Sequence, residues 1–160
     1  VKQTDGQKQI VIGTRNGYAI IFDEEEVRSM GRIARGVKGI KLRDGDEVVG
    51  MDTIKRDSEI LTVTAGGYGK RTKVEEYTTH HRGAMGVINL RVTEKTGEVI
   101  GLKVVRDGQE LMLISTNGII IRTGLDKISV IGRASQGVII MKTAEDDKVA
   151  SMAILTQKAE

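Results

Sequence analysis

The chain has 160 residues, a formal net charge of +3, and no cysteine, proline or tryptophan. The missing thiols exclude disulfides and a catalytic cysteine, and one Phe with three Tyr argues against an aromatic platform for single-stranded nucleic acid. No apolar run reaches the roughly 18–20 residues that cross a bilayer. Because residues 1–4 show no initiator Met and no signal-peptide pattern, we interpret the chain as cut from a longer protein.

One unit recurs three times along the chain, at spacings of 50 or 51 residues. Each copy opens with an apolar run that ends at a turn signal. These signals are Asn16-Gly17, Gly66-Gly67 and Asn117-Gly118. Asn-Gly and Gly-Gly favour a tight two-residue turn with positive φ at both central positions. The sequence therefore predicts a β-hairpin at the start of each of three repeats, residues 9–54, 59–105 and 110–155.

The second half of each repeat predicts two further strands. We expect residues 37–42 to pair with 47–54, residues 87–92 with 98–105, and residues 138–143 with 148–155. Four short strands in about 50 residues are typical of a propeller blade. Because three blades cannot close a ring, we interpret the chain as part of a larger ring and residues 1–6 as the tail of a preceding blade.

Basic residues follow the same repeat. An arginine precedes a Gly-Val pair by four residues in every copy, at Arg32, Arg82 and Arg133. Equivalent positions in a repeat array take equivalent places around its rim, so a row of cations is expected there. Such a row suits the phosphate backbone of duplex DNA. The sequence leaves open an alternative, in which each arginine bonds the backbone carbonyls of its own loop.

Other basic positions complete a candidate DNA-binding surface, and residues 28–43 alone hold six cations and no acid. The candidate set is Arg32, Arg35, Lys38, Lys41, Lys70, Arg71, Lys73, Arg82, Arg122 and Arg133. No catalytic residue is predicted, because no nucleophile stands beside a base. No metal site is predicted either: His80 and His81 are adjacent on a strand and would point to opposite faces.

Four segments resemble the C-terminal domain of the DNA gyrase A subunit. They are residues 30–42, 45–51, 67–72 and 132–138, in the family's order. The resemblance implies an all-β, propeller-like β-pinwheel of about six blades. This chain would hold three four-stranded blades, with strands exchanged between neighbours. The intact Gly-Arg-x-Ala-x-Gly-Val strings favour gyrase over the related topoisomerase IV subunit.

The resemblance also implies a function: non-catalytic, sequence-nonspecific binding and bending of duplex DNA for ATP-dependent negative supercoiling. The implied partners are the gyrase B subunit, together with the rest of the gyrase A subunit, in the bacterial cytoplasm at the nucleoid. No cofactor is expected in this fragment, and ATP and Mg²⁺ belong to the parent enzyme. Tyr18, Tyr68 and Tyr77 are expected to pack rather than to cleave DNA.

The family's Gln-Arg-Arg-Gly-Gly-Lys-Gly box is absent from the sequence. We therefore expect the fragment to bind DNA weakly and not to support wrapping or supercoiling by itself. Open sheet edges would favour self-association. The alternative function is a propeller-like protein-interaction scaffold whose basic rim meets an acidic partner.

Overall fold

The computed structural model describes residues 1–156 as short strands and single-turn 3-10 helices. The strands are β1 Gln9–Thr14, β2 Tyr18–Asp23, β3 Val48–Thr53, β4 Glu59–Thr64, β5 Tyr68–Lys73, β6 Val87–Ile88, β7 Val99–Val105, β8 Glu110–Ser115, β9 Ile120–Gly124, β10 Val138–Ile139 and β11 Val149–Leu155. The 3-10 helices are Glu24–Glu26, Val74–Glu76 and Leu125–Lys127. No helix in this range is long and apolar enough to cross a membrane. The all-β class is confirmed; residues 9–54, 59–105 and 110–155 are called the first, second and third units below.

Each unit begins with an antiparallel hairpin, formed by β1–β2, β4–β5 and β8–β9. In the first hairpin Gly13 pairs with Ala19, and the Gly17 N–H donates to the Thr14 carbonyl at 3.1 Å. Only Gly17 in that turn has a positive φ, at 89°. The predicted two-residue turn is therefore wrong. The connection is residues 15–17, the geometry of a type I turn followed by a glycine in the left-handed region.

A third strand joins each hairpin on the side of its first strand. β3 pairs with β1, β7 with β4 and β11 with β8. Because β3 contacts β7 and β7 contacts β11, these strands form the inner side of the array. Glycine permits their close approach: a Cβ on Gly50 would lie 3.0 Å from the Leu102 carbonyl oxygen, and one on Gly101 would lie 2.5 Å from the Met152 sulfur.

The fourth, outer strand of a sheet comes from the following unit. β6 of the second unit pairs with β2, where Ile88 lies opposite Tyr18, and β10 of the third unit pairs with β5, where Ile139 lies opposite Tyr68. The resulting orders are β3-β1-β2-β6, β10-β5-β4-β7 and β11-β8-β9. The second hairpin predicted within each unit is wrong, and the pinwheel exchange implied by the resemblance is confirmed. Within residues 1–156 the third sheet has three strands. Residues 37–42, predicted as a strand of the first unit, form no strand.

Apolar side chains pack mainly between neighbouring sheets. One cluster joins Ile21 of the first unit to Ile60 and Leu102 of the second, and another joins Leu61 of the second unit to Leu111 of the third. Each such buried aliphatic side chain contributes about 1.5–3 kcal/mol. Tyr68 and Tyr77 are also buried, as the packing prediction required. Two of the three buried clusters of the described residues thus join neighbouring units, and the third, around Phe22, belongs largely to the first unit. Each unit therefore depends on its neighbour for part of its stability.

Candidate nucleic-acid interface

A basic loop, defined as residues 28–43, connects the first hairpin to β3. It follows the 3-10 turn Glu24–Glu26 and contains no strand. Two backbone hydrogen bonds tie it to the second unit: the Lys41 N–H donates to the Ala84 carbonyl at 2.9 Å, and the Gly83 N–H donates to the Gly39 carbonyl at 2.6 Å. Because Gly83 and Ala84 lead into the outer strand β6, the basic loop lies along the outer edge of the array.

The basic loop carries five exposed cations, and no ion pair engages any of them within residues 1–156. They are Arg28, Arg32, Arg35, Lys38 and Lys41. Arg43 differs, since its guanidinium donates to the Met85 carbonyl at 2.8 Å and lies 3.5 Å from the centroid of the Tyr18 ring. Exposed cations without nearby acids create a positive potential that attracts a polyanion.

Arg82 joins the second unit to the first. Its Nε donates to the Glu26 carbonyl at 2.9 Å, and its other guanidinium nitrogen donates to the Lys38 carbonyl at 3.3 Å. Its backbone N–H donates to the Glu26 carboxylate at 2.6 Å, and the ring of His81 contacts the same carboxylate. These hydrogen bonds hold the pKa of Glu26 below its usual range.

Arg133 repeats this arrangement between the third unit and the second. Its guanidinium donates to the Ile88 carbonyl at 2.5 Å, and its backbone N–H donates to the Glu76 carboxylate at 3.4 Å. The acceptors Glu76 and Ile88 stand one repeat after those used by Arg82. We call the recurring arrangement the arginine lock. For these two arginines the alternative is right that the guanidinium bonds backbone carbonyls, and wrong about which ones, because the carbonyls belong to the preceding unit and not to the arginine's own loop.

Arg32 is the third member of the expected row and has a different environment. Its side chain is exposed and makes no hydrogen bond within residues 1–156. Arg82 and Arg133 are only partly exposed. The three arginines therefore share a position in the repeat but differ in how much of the guanidinium is available to a ligand.

The prediction that Lys70 lies on the DNA-binding surface is wrong. Its side chain is fully buried in β5, with 0% exposure. The ammonium donates to the carbonyls of Gly132, Arg133 and Ser135, at 2.8, 2.6 and 3.2 Å. Direct contact between Lys70 and DNA is excluded by this burial, because every proton of the ammonium already faces a protein oxygen.

The same prediction is wrong for Arg71. It is 8% exposed, its Nε donates to the Ile128 carbonyl at 2.9 Å, and its guanidinium pairs with Glu59 at 2.9 Å and Asp107 at 3.5 Å. Arg71 therefore joins β5 to the third unit and is not available to DNA. The predicted basic patch around residues 70–73 retains only Lys73, which is exposed and makes no ion pair within the described range.

Arg122 occupies the position in β9 that Arg71 occupies in β5. It is exposed, and its Nε donates to the Glu110 carboxylate at 2.7 Å. This pairing offsets part of its charge. Of the candidate set, the structure brings together Arg32, Arg35, Lys38 and Lys41 on one loop and leaves Lys73 and Arg122 on other sheets.

Glu26 and Glu76, which accept the backbone N–H of the lock arginines, were not predicted from the sequence. A signal was present: each glutamate precedes its arginine by nearly the same interval, and the two glutamates are 50 residues apart. The third unit has Lys127 at the matching position after the hairpin. The sequence pattern indicates only a solvated acidic turn, because nothing local distinguishes a carboxylate that bonds a distant amide.

The protein-family model of the DNA gyrase C-terminal domain, a beta-propeller, matches residues 8–55, 58–106 and 109–156. The chain belongs to the DNA gyrase C-terminal domain family. The resemblance seen in the four sequence segments is thus confirmed.

The relatives that the chain matches include DNA gyrase A subunits. The chain is 43% identical over 152 residues to the protein of Salmonella typhimurium, a match that covers 95% of this chain and 17% of that protein. It is 43% identical over 162 residues to the protein of Staphylococcus aureus, a match that covers 100% of this chain and 18% of that protein. The chain therefore spans less than a fifth of these curated relatives.

Solved structures match the fold over nearly the whole chain. The C-terminal domain of DNA topoisomerase IV matches with a TM-score of 0.90 and 31% identity, over 96% of this chain and 48% of that one. The DNA gyrase A C-terminal domain matches with a TM-score of 0.87 and 27% identity, over 95% of this chain and 52% of that one. The chain corresponds to about half of each solved domain.

Proposed function

We propose that the basic loop binds the phosphate backbone of duplex DNA without reading its sequence. The observation that carries the proposal is the set of five exposed cations that have no acidic partner within the described residues. Lysine and arginine contacts to phosphates supply most of the sequence-independent affinity for DNA. The single 3-10 turns found in residues 1–156 are too short to serve as recognition helices in a major groove.

We propose that this contact bends the DNA along the outer edge of the array. Bending a 20–30 bp site costs on the order of 1–6 kcal/mol. Exposed ion pairs at about 0–1 kcal/mol each do not offset that cost, whereas release of counterions from several neutralised phosphates does. The concentration of free cations on the first unit supports a contact that starts there and weakens along the second and third units.

The wider role follows from the family. We propose that this module is a non-catalytic part of a gyrase A protein and guides DNA for ATP-dependent negative supercoiling, together with the gyrase B protein, at the bacterial nucleoid. ATP and Mg²⁺ would act elsewhere in that enzyme. The family membership and the gyrase A relatives support this role.

The test is the salt dependence of binding to a duplex of about 30 bp. Replacing Arg32, Arg35, Lys38 and Lys41 together by Gln is expected to reduce the slope of log K against log salt by about 3–4, because each lost phosphate contact removes about 0.9. The control replaces Lys55 and Arg56 by Gln, two exposed cations of the β3–β4 turn. The same slope for the wild type and the fourfold variant would refute the proposal.

An acidic protein partner is the competing use of the basic loop. Polyglutamate serves as the probe for this use. If the chain is a protein-interaction scaffold, replacing the four loop cations by Gln should weaken the binding of polyglutamate and leave the binding of duplex DNA unchanged. Self-association is a separate expectation, because β9 has no outer strand among the described residues. Ile119, just before β9, and Ile120, its first residue, are 53% and 60% exposed. A monomeric mass at high concentration in light scattering would contradict it.

A further inference from the structure

Lys70 is a buried cation that the proposed DNA contact does not use. Its ammonium lies within hydrogen-bond distance of three carbonyls and of the Ser135 hydroxyl, at 3.3 Å. No carboxylate forms a salt bridge with it within residues 1–156. Every one of these oxygens belongs to the loop of residues 132–136, which we call the capped loop and which lies on the outer edge just before β10.

The stoichiometry of these contacts depends on protonation. An ammonium has three protons for these oxygens, whereas a neutral amine has two. The Gly132 and Ser135 carbonyls also accept from the N–H groups of Ser135 and Arg91, so within residues 1–156 the Arg133 carbonyl is the one that depends on Lys70 alone. Burial lowers the pKa of Lys70 to about 8. The charged groups that face it are Glu76, which favours the ammonium, and Arg133, which disfavours it.

The carbonyls of the capped loop therefore point to Lys70, and its amides have fewer partners. The Arg133 N–H reaches Glu76 and the Ser135 N–H donates to the Gly132 carbonyl at 3.2 Å. The N–H groups of Ala134 and Gln136 have no acceptor within residues 1–156, and both residues are exposed. Free amides beside an arginine make a site suited to an anion.

The matching loop of the second unit differs in two of these features. It faces Ile20, which stands at the position of Lys70. The Gly83 N–H, which corresponds to that of Ala134, is engaged, since it donates to the Gly39 carbonyl at 2.6 Å. The buried lysine and the unpaired N–H of Ala134 therefore distinguish the capped loop from the loop of the second unit. In the first unit the N–H groups of Ile33 and Arg35 also have no acceptor within residues 1–156.

We propose that Lys70 is a positioning residue: it gathers the carbonyls of the capped loop so that the amides of Ala134 and Gln136, with Arg133, receive one phosphodiester group. This inference rests on the proposed DNA binding and adds a phosphate site on the third unit. Lys70 itself does not touch the phosphate. A negative charge at the site stabilises the ammonium, so binding takes up a fraction of a proton when the pH is near the pKa of Lys70.

The experiment is calorimetric titration of a duplex of about 30 bp. It is run at about pH 8.5, just above the pKa of about 8, in two buffers of different ionisation enthalpy. The wild type is expected to show a buffer-dependent enthalpy and an affinity that falls about twofold to tenfold between pH 7 and pH 9. Lys70→Met is expected to show at both pH values the lower affinity that the wild type shows at pH 9, without proton uptake. Lys70→Arg keeps the charge without titrating in this range, and is expected to retain binding and lose the proton uptake.

Lys55→Met is the matched control, an exposed lysine lost from the β3–β4 turn, and it is expected to keep the wild-type proton uptake. Wild-type binding without proton uptake, or uptake unchanged in Lys70→Arg, would overturn the inference while leaving the proposed function intact. If Lys70→Met does not fold, as judged by circular dichroism, the wild-type and Lys70→Arg titrations still decide. Failure of the wild type to bind duplex DNA at any salt concentration would instead defeat the proposed function.

Discussion

The two interfaces between units share one backbone arrangement and differ in the side chains that fill it. At the interface of the first and second units, β2 presents Ile20, Ile21 and Phe22, all at most 2% exposed. At the interface of the second and third units, β5 presents Lys70, Arg71 and Thr72 at the same repeat positions. Both interfaces contain a buried apolar cluster. At these three positions, however, the first interface is apolar and the second forms hydrogen bonds to backbone carbonyls, so we call them the apolar and the polar interface.

The two interfaces thus keep the same exchanged outer strand with different residues beneath it. Lys70, Arg71 and Thr72 each donate to a carbonyl of the third unit: Gly132, Ile128 and Ile131 are among the acceptors. A buried hydrogen bond contributes only about 0.5–1.5 kcal/mol net, but leaving its acceptor unpaired costs about 1–3 kcal/mol. The polar interface is therefore more sensitive to geometry than the apolar one.

The largest expected effect comes from β2 of the first unit. Phe22→Ala removes a side chain packed with Ile12, Ile20 and Ile40 of that unit, against which Ala84 of the second unit packs, and is expected to reduce the free energy of unfolding by about 3–5 kcal/mol. The matched variant Thr72→Ala, at the same position in β5, leaves the Ile131 carbonyl without its hydroxyl donor and is expected to cost about 1–3 kcal/mol. Urea unfolding measures both, and equal losses would contradict the contrast between the interfaces.

Arg71 gives the next largest effect. Arg71→Met removes the bond to the Ile128 carbonyl and the partner of Glu59, and we expect a loss of about 1.5–3 kcal/mol in the free energy of unfolding. Its equivalent Arg122 is exposed, so Arg122→Met is expected to cost about 0–1 kcal/mol. If Arg122→Met lost as much free energy of unfolding as Arg71→Met, the loss at Arg71 could not be attributed to its contacts across the polar interface.

The arginine locks test whether the two interfaces share a further element. Arg82→Ala and Arg133→Ala are each expected to cost about 0.5–1.5 kcal/mol. Arg82→Ala should be the more costly, because Arg82 bonds two carbonyls and Arg133 bonds one. Thermal unfolding of the two variants measures the difference. A larger loss for Arg133→Ala than for Arg82→Ala would contradict the view that the number of bonded carbonyls sets the stability of each lock.

The smallest effect lies outside both interfaces, at the turn of the third hairpin. Hydroxyl hydrogen bonds from Ser115 and Thr116 lower the pKa of Asp147 to about 2. A lowered carboxyl pKa adds stability that is complete above the unfolded value of 3.8 and is lost as the pH falls toward 2. Asp147→Asn should therefore destabilise at neutral pH and match the wild type in acid, in urea unfolding. Asp146→Asn, its exposed neighbour, should show no such dependence.

The candidate site was predictable only in part. Arg32, Arg35, Lys38 and Lys41 lie in a segment without acids, and a segment with no apolar period has no interior side to turn them toward, so their exposure was expected. Lys70 and Arg71 also lie in a basic stretch, yet they belong to the strand β5, which the third unit covers, and they are buried there together with Tyr68 and Thr72. From sequence alone, cationic residues are expected at the surface. The burial of Lys70 and Arg71 depends on backbone carbonyls some 57–65 residues away.

The sequence alone determined the repeat, its hairpins and the all-β class, because apolar alternation and turn glycines act within a few residues. Only the tertiary structure decided which unit receives β6 and β10, since backbone hydrogen bonding is nearly independent of sequence and a short strand pairs equally well with either neighbour. That choice in turn determined which cations are buried and which remain exposed. Residues under an exchanged strand lose water and must bond protein oxygens, and those on the basic loop keep their water and their charge for a partner.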